Sequence, residues 1–72
     1  MTTKRERFEK VAVARTNKII NDLRLLGNCS NKNNYEYSEK DIKKIFSAIE
    51  SELKKAKYKF LGKNMDEKIF TL

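Results

Sequence analysis

Histidine, proline and tryptophan are absent from this sequence, cysteine occurs once and glycine twice. Each shortage excludes something. A single Cys cannot form a disulfide framework within one chain. One Cys and no His cannot supply the roughly four N/S ligands of a structural zinc site. Ser-His-Asp and Cys-His nucleophiles both lack their base. No apolar run approaches the ~18–20 residues of a membrane span. The first ten residues hold Lys4, Arg5, Arg7 and Lys10 and no apolar core, unlike a secretory signal. With no proline, nothing of that kind interrupts a helix.

What is present is charge. Seventeen Lys and Arg stand against ten Asp and Glu over 72 residues, a formal charge of +7. That length fits one small domain. The expectation is a small, basic, cytoplasmic helical protein without a cofactor.

Two segments carry helical periodicity. Thr3 and Glu6 have the spacing of a capping box, in which each side chain satisfies the other residue's orphan backbone N–H. Apolar residues follow at Phe8, Ala12, Ile19, Leu23 and Leu26, one face of a helix. Val11 borders this stripe on one side, and Val13 and Ile20 widen it on the other. Gly27 suits the left-handed residue that stops a helix. The spacing predicts a helix from about Thr3 to Leu26, roughly 35 Å long at ~1.5 Å per residue. The second segment opens on Ser38 and Asp41, a weaker relative of the capping box. Ile42, Phe46, Ile49, Leu53, Ala56 and Phe60 then form an unbroken heptad seam, widened by Ile45 and Leu61. Gly62 ends it, giving a helix over about 38–61.

Residues 27–37 read as a loop. Asn28, Asn31, Asn33 and Asn34 favour turns and left-handed backbone. In the tail, 62–72, Asn64 and Glu67 fit the cap of a short helix bearing Met65, Ile69 and Leu72. Ile69 to Leu72 fits an extended piece equally well. The whole reads as one all-α domain over 1–72, an antiparallel helical hairpin with a short C-terminal element.

Chains this short seldom gain more than about 3–5 kcal/mol of net stability from one core. The stripes are wider than one hairpin buries. Dimerisation into a four-helix bundle would cover the surplus, with a monomer closed by its own tail as the alternative.

The charge is unevenly spread. Lys4, Arg5, Arg7, Lys10, Arg15 and Lys18 face only Glu6 and Glu9 in the first eighteen residues. Lys54, Lys55, Lys57, Lys59 and Lys63 have no acid among them. In a hairpin these stretches share the end away from the loop. Such a cluster attracts phosphates by releasing condensed counterions. The expected nucleic-acid contacts are Arg5, Arg7, Lys10, Arg15, Lys54, Lys55, Lys57, Tyr58 and Lys59, with Tyr58 placed to stack on an unpaired base. Phe60 continues the heptad and reads as core. A solvated face favoured by the helix dipole explains the Lys54–Lys59 run as well, and an acidic protein or membrane surface is a further partner class. The order of basic helix, loop and amphipathic helix loosely resembles basic helix-loop-helix factors. Residues 11–14, however, are Val-Ala-Val-Ala where groove-reading side chains belong.

In the loop, Asn28-Cys29-Ser30 matches a glycosylation sequon without a secretion signal. Cys29 has no base beside it and reads as a small packed residue. Tyr37 precedes the Ser38 cap as a hydrophobic staple would. Arg15-Thr16-Asn17-Lys18, followed by RLLGNCSNKNNYEYSEKDIKKIFSAIESELKKAKYKF from Arg24 to Phe60, resembles short uncharacterised proteins of plasmids, phages and conjugative elements in low-GC Gram-positive bacteria. The resemblance implies a bacterial cytoplasm and an accessory or regulatory role, and it carries no site residues.

Two functions compete. One is a non-enzymatic accessory protein whose basic end contacts DNA or RNA through phosphates. The other is a module or inhibitor docking on a host or element-encoded protein through exposed apolar surface and the tail residues Ile69, Phe70 and Leu72. Catalysis is not expected: Glu50 and Glu52, at i and i+2, do not face each other on a helix.

Overall fold

A computed structural model describes residues 3–62. Among these residues the fold is all-α, with no strand. The chain divides into two units, Met1–Glu36 and Tyr37–Leu72. The first holds helix α1, Lys4–Gly27, and a short 3-10 turn, Asn28–Ser30. The second holds helix α2, Glu39–Leu61. The tail elements proposed from Asn64 to Leu72 lie outside the described residues. No helix of the described residues is long and apolar enough to cross a membrane.

Both helices start as their sequences direct. The Thr3 hydroxyl oxygen accepts the Glu6 N–H at 3.0 Å, and the Thr3 N–H donates to Glu6 Oε1 at 3.2 Å. At α2 the Ser38 hydroxyl accepts the Asp41 N–H at 3.2 Å, and the Ser38 N–H donates to Asp41 Oδ2 at 2.9 Å. The Ser38 box is therefore complete, although Asp is one methylene shorter than the usual Glu. Each cap satisfies two orphan donors, and a capping side chain contributes about 1 kcal/mol. Tyr37 and Ile42, the staple positions around the second cap, are both half-buried.

The helix ends differ. Gly62 stops α2 at φ 66°, with its N–H donating to the Tyr58 carbonyl at 3.0 Å. Gly27 does not stop α1. Its φ is −58° and its ψ −30°, ordinary right-handed helix, and the chain winds on through Asn28–Ser30. Glycine without a Cβ takes either hand. Here the Asn28 N–H reaches the carbonyls of Arg24, Leu25 and Leu26, so tightened 3-10 bonding satisfies the last turn. A left-handed stop is not needed.

Asn31 organises the rest of the loop. Its backbone carbonyl accepts the N–H groups of Asn34 at 3.1 Å and Tyr35 at 3.0 Å. Its side-chain oxygen accepts the Asn33 N–H at 3.0 Å, an Asx-turn. The asparagines make a turn as expected, without left-handed backbone: among the described residues only Gly62 has positive φ.

The stripes are largely uncovered. On α1, Ala12 and Leu26 are half-buried, while Phe8, Ile19 and Leu23 are exposed. On α2, Ile42 and Ile49 are half-buried, whereas Phe46 and Leu53 stay 43% and 55% exposed. Among the described residues Tyr58 is the one buried side chain.

Candidate nucleic-acid interface

Of the α1 cations, Lys4, Arg5 and Arg7 stand on the first turn, where the helix dipole disfavours them. Part of that charge is already compensated. Arg5 Nε contacts Glu9 Oε1 at 2.8 Å, and its guanidinium lies 5.7 Å from the centre of the Phe8 ring, a cation–π distance. Lys18 Nζ lies 3.3 Å from Asp22 Oδ2. Arg7, Lys10 and Arg15 are exposed and form no ion pair among the described residues.

On α2, Lys55 Nζ lies 3.5 Å from Glu52 Oε1. Lys54, Lys57 and Lys59 are exposed and have no acidic partner among the described residues. Helical spacing sets Lys54 beside Lys57 at i, i+3 and Lys55 beside Lys59 at i, i+4. The α1 cations and the α2 cations belong to separate units.

The aromatic residues exchange their expected places. Tyr58 is 8% exposed, so its ring offers no face for a base to stack on. Phe60, expected in the core, is 78% exposed. The two lie two residues apart, about 160° around the helix, so one environment cannot serve both. Cys29, expected as a packed residue, is also exposed, with its Sγ 4.0 Å from the Leu25 carbonyl oxygen. Ile69, Phe70 and Leu72 lie outside the described residues.

A wider basic face becomes visible once α2 is known to run unbroken from Glu39 to Leu61. Lys40, Lys44, Lys54 and Lys55 follow one another on the side away from the heptad seam, with Ser47 and Ser51 between them and Lys43 at the edge of the seam. The row is about 22 Å long. Lys40, Lys43 and Lys44 escape a search for contiguous lysine runs. Their signal in the sequence is a helical period shared with Lys54 and Lys55. A ladder of this kind suits a line of phosphates and carries no base-reading geometry.

No protein family, curated protein or solved structure matches this chain.

Proposed function

We propose that the protein is a non-enzymatic accessory protein that binds nucleic acid through phosphates. The observation that carries this reading is the set of exposed cations without acidic partners among the described residues: Arg7, Lys10, Arg15, Lys54, Lys57 and Lys59. The lysine row on α2 adds to it. In this proposal the Asn-rich loop lets α1 and α2 close as an antiparallel hairpin, bringing both basic stretches to one end. Two hairpins assemble as a homodimeric four-helix bundle that covers the stripes. A bacterial cytoplasm and a mobile-element origin complete the reading, supported only by the resemblance of Arg15 to Phe60 described above.

The test is a salt titration of binding to duplex DNA, single-stranded DNA and RNA. Affinity is expected to fall steeply with salt, as counterion release requires. Lys44→Glu with Lys54→Glu should weaken all sequences about equally and flatten the salt slope by ~2. These positions lie away from the apolar seam, so the double variant leaves self-association intact. Binding that ignores salt, or no binding at low salt, would refute the proposal.

A second reading rests on the exposure of Phe46 and Leu53: a module that docks on another protein. If the tail residues Ile69, Phe70 and Leu72 are its anchor, removing residues 64–72 should abolish capture of a partner while helicity persists, and unchanged capture would leave the exposed stripe as the anchor.

A further inference from the structure

The seam of α2 calls for a cover, and its pattern narrows what that cover is. Phe46, Leu53 and Phe60 occupy one heptad position, conventionally a. Ile42, Ile49 and Ala56 occupy the other, d. The flanking positions hold Lys43, Glu50 and Lys57 on one side and Ile45, Glu52 and Lys59 on the other. An anionic lipid surface fits this badly, because Glu50 and Glu52 would sit at its boundary.

The α1 stripe fits less well than a second copy of α2. Phe8 to Ile19 and Ala12 to Leu23 are each eleven residues apart, and the same step from Leu26 falls on Arg15. An eleven-residue repeat drifts in the right-handed sense and a seven-residue repeat in the left-handed sense. Another heptad stripe matches α2 along its whole length. The nearest one available is the α2 of another molecule.

Charge then selects the orientation. In a parallel, in-register pair, a flanking residue meets the one five positions later on its partner. Glu52 meets Lys57 of the second copy, twice per dimer. In the fully overlapped antiparallel pair, Ile42 faces Phe60, Phe46 faces Ala56 and Ile49 faces Leu53. That arrangement brings Lys43 towards Lys57, Glu50 towards Glu50 and Glu52 towards Glu52, all repulsive. Glu52 is free to be shared, since its contact with Lys55 is a long one between exposed side chains. Leu and Phe at a with Ile at d suit assemblies of more than two helices, which agrees with α1 of each chain joining the bundle.

We infer that α2 pairs in parallel and in register with the α2 of a second copy of this chain, aligned by Glu52 and Lys57. This deepens the homodimer proposed above and is independent of nucleic-acid binding. It sets the Lys54–Lys59 runs of both chains at the same end of the assembly.

Cysteine cross-linking of the full chain tests it. In a Cys29→Ser background, Ala56→Cys and Phe46→Cys chains are oxidised separately and as a mixture, with circular dichroism confirming retained helix. The expected result is symmetric 56–56 and 46–46 dimers in the separate samples. A dominant mixed 46–56 product, or no cross-link in either sample, overturns the inference. In the same Ser background without added cysteines, Glu52→Lys should raise the dimer dissociation constant about tenfold, and Lys57→Glu added to it should restore the original value. If the second change fails to restore dimerisation, the pairing is wrong. These readouts contain no nucleic acid, so they stand or fall apart from the salt titration.

Discussion

Helices α1 and α2 are nearly equal in length, 24 and 23 residues, and open on the same reciprocal cap. They differ in how they stop and in the repeat of their apolar stripe. α1 passes through its glycine into a 3-10 turn, while α2 halts at a left-handed one. α1 repeats over eleven residues with Arg15 in the stripe, and α2 keeps a strict heptad. Nearly equal length and the same reciprocal capping thus go with two different apolar surfaces. In the assembly proposed above, the heptad would receive another helix, and the looser stripe, mixed with unpaired cations, a less demanding neighbour.

The sharpest way to break the comparison is to place a charge in each stripe. Leu53→Asp puts a carboxylate in the heptad seam and removes a large apolar side chain. A buried pair of such changes costs several kcal/mol. Sedimentation should show the assembly shifted to monomer, with the dissociation constant raised at least a hundredfold. Ile19→Asp on α1 should cause a clearly smaller shift. Equal shifts would mean that both stripes bury alike, and the distinction between the helices would fall.

The glycines sharpen the difference at the helix ends. Gly27 has helical backbone and open space where a Cβ would stand. Gly27→Ala should therefore stabilise the end of α1 by about 0.5–1 kcal/mol. Gly62 has equally open space but φ 66°, so Gly62→Ala should destabilise the end of α2 by about 1 kcal/mol. Amide exchange resolved along each helix measures both. The same sign at both sites would contradict the two backbone conformations.

The starts of the helices were legible because a cap is local: Thr3 with Glu6 and Ser38 with Asp41 carry all the atoms that the motif needs. The heptad was legible because α2 keeps one period for its whole length. The end of α1 was not, since a glycine permits both hands and the choice rests on hydrogen bonds made by Asn28. The asparagines announced a turn, but nothing in their clustering singled out Asn31 as its hub. In the candidate interface, the exposure of Arg7, Lys10 and Lys54 follows from their chemistry. The exchange between Tyr58 and Phe60 does not, because position on a helix gives a direction and not what lies in that direction. Lys40, Lys43 and Lys44 share a helical period with Lys54 and Lys55 but are not contiguous with them in sequence.

Asn31 offers a test of the segment between the two helices. Asn31→Ala removes the side-chain acceptor of the Asn33 N–H and leaves the backbone carbonyl that serves Asn34 and Tyr35. The loss should be about 0.5–1.5 kcal/mol, confined to the turn. Faster amide exchange at Asn33 with unchanged protection in α1 and α2 is the expected pattern. Loss of protection in either helix would make the loop part of a cooperative unit with it.

The smallest effect expected is at the ion pairs of α1. Lys18 and Asp22 are 3.3 Å apart at i, i+4, with side chains 77% and 57% exposed. Exposed pairs of this kind contribute about 0.3–0.5 kcal/mol, and salt screens them. The pair also runs in the less favourable order, with the cation towards the N-terminus. Asp22→Asn should therefore lower the helicity of α1 only slightly, and 0.5 M salt should erase the difference from the parent chain. The same change frees Lys18 to join Arg7, Lys10 and Arg15. If α1 contributes phosphate contacts, nucleic-acid affinity should rise even as helicity falls slightly. A parallel fall in both would assign the α1 cations to holding the helix, and leave phosphate binding to the lysine row of α2.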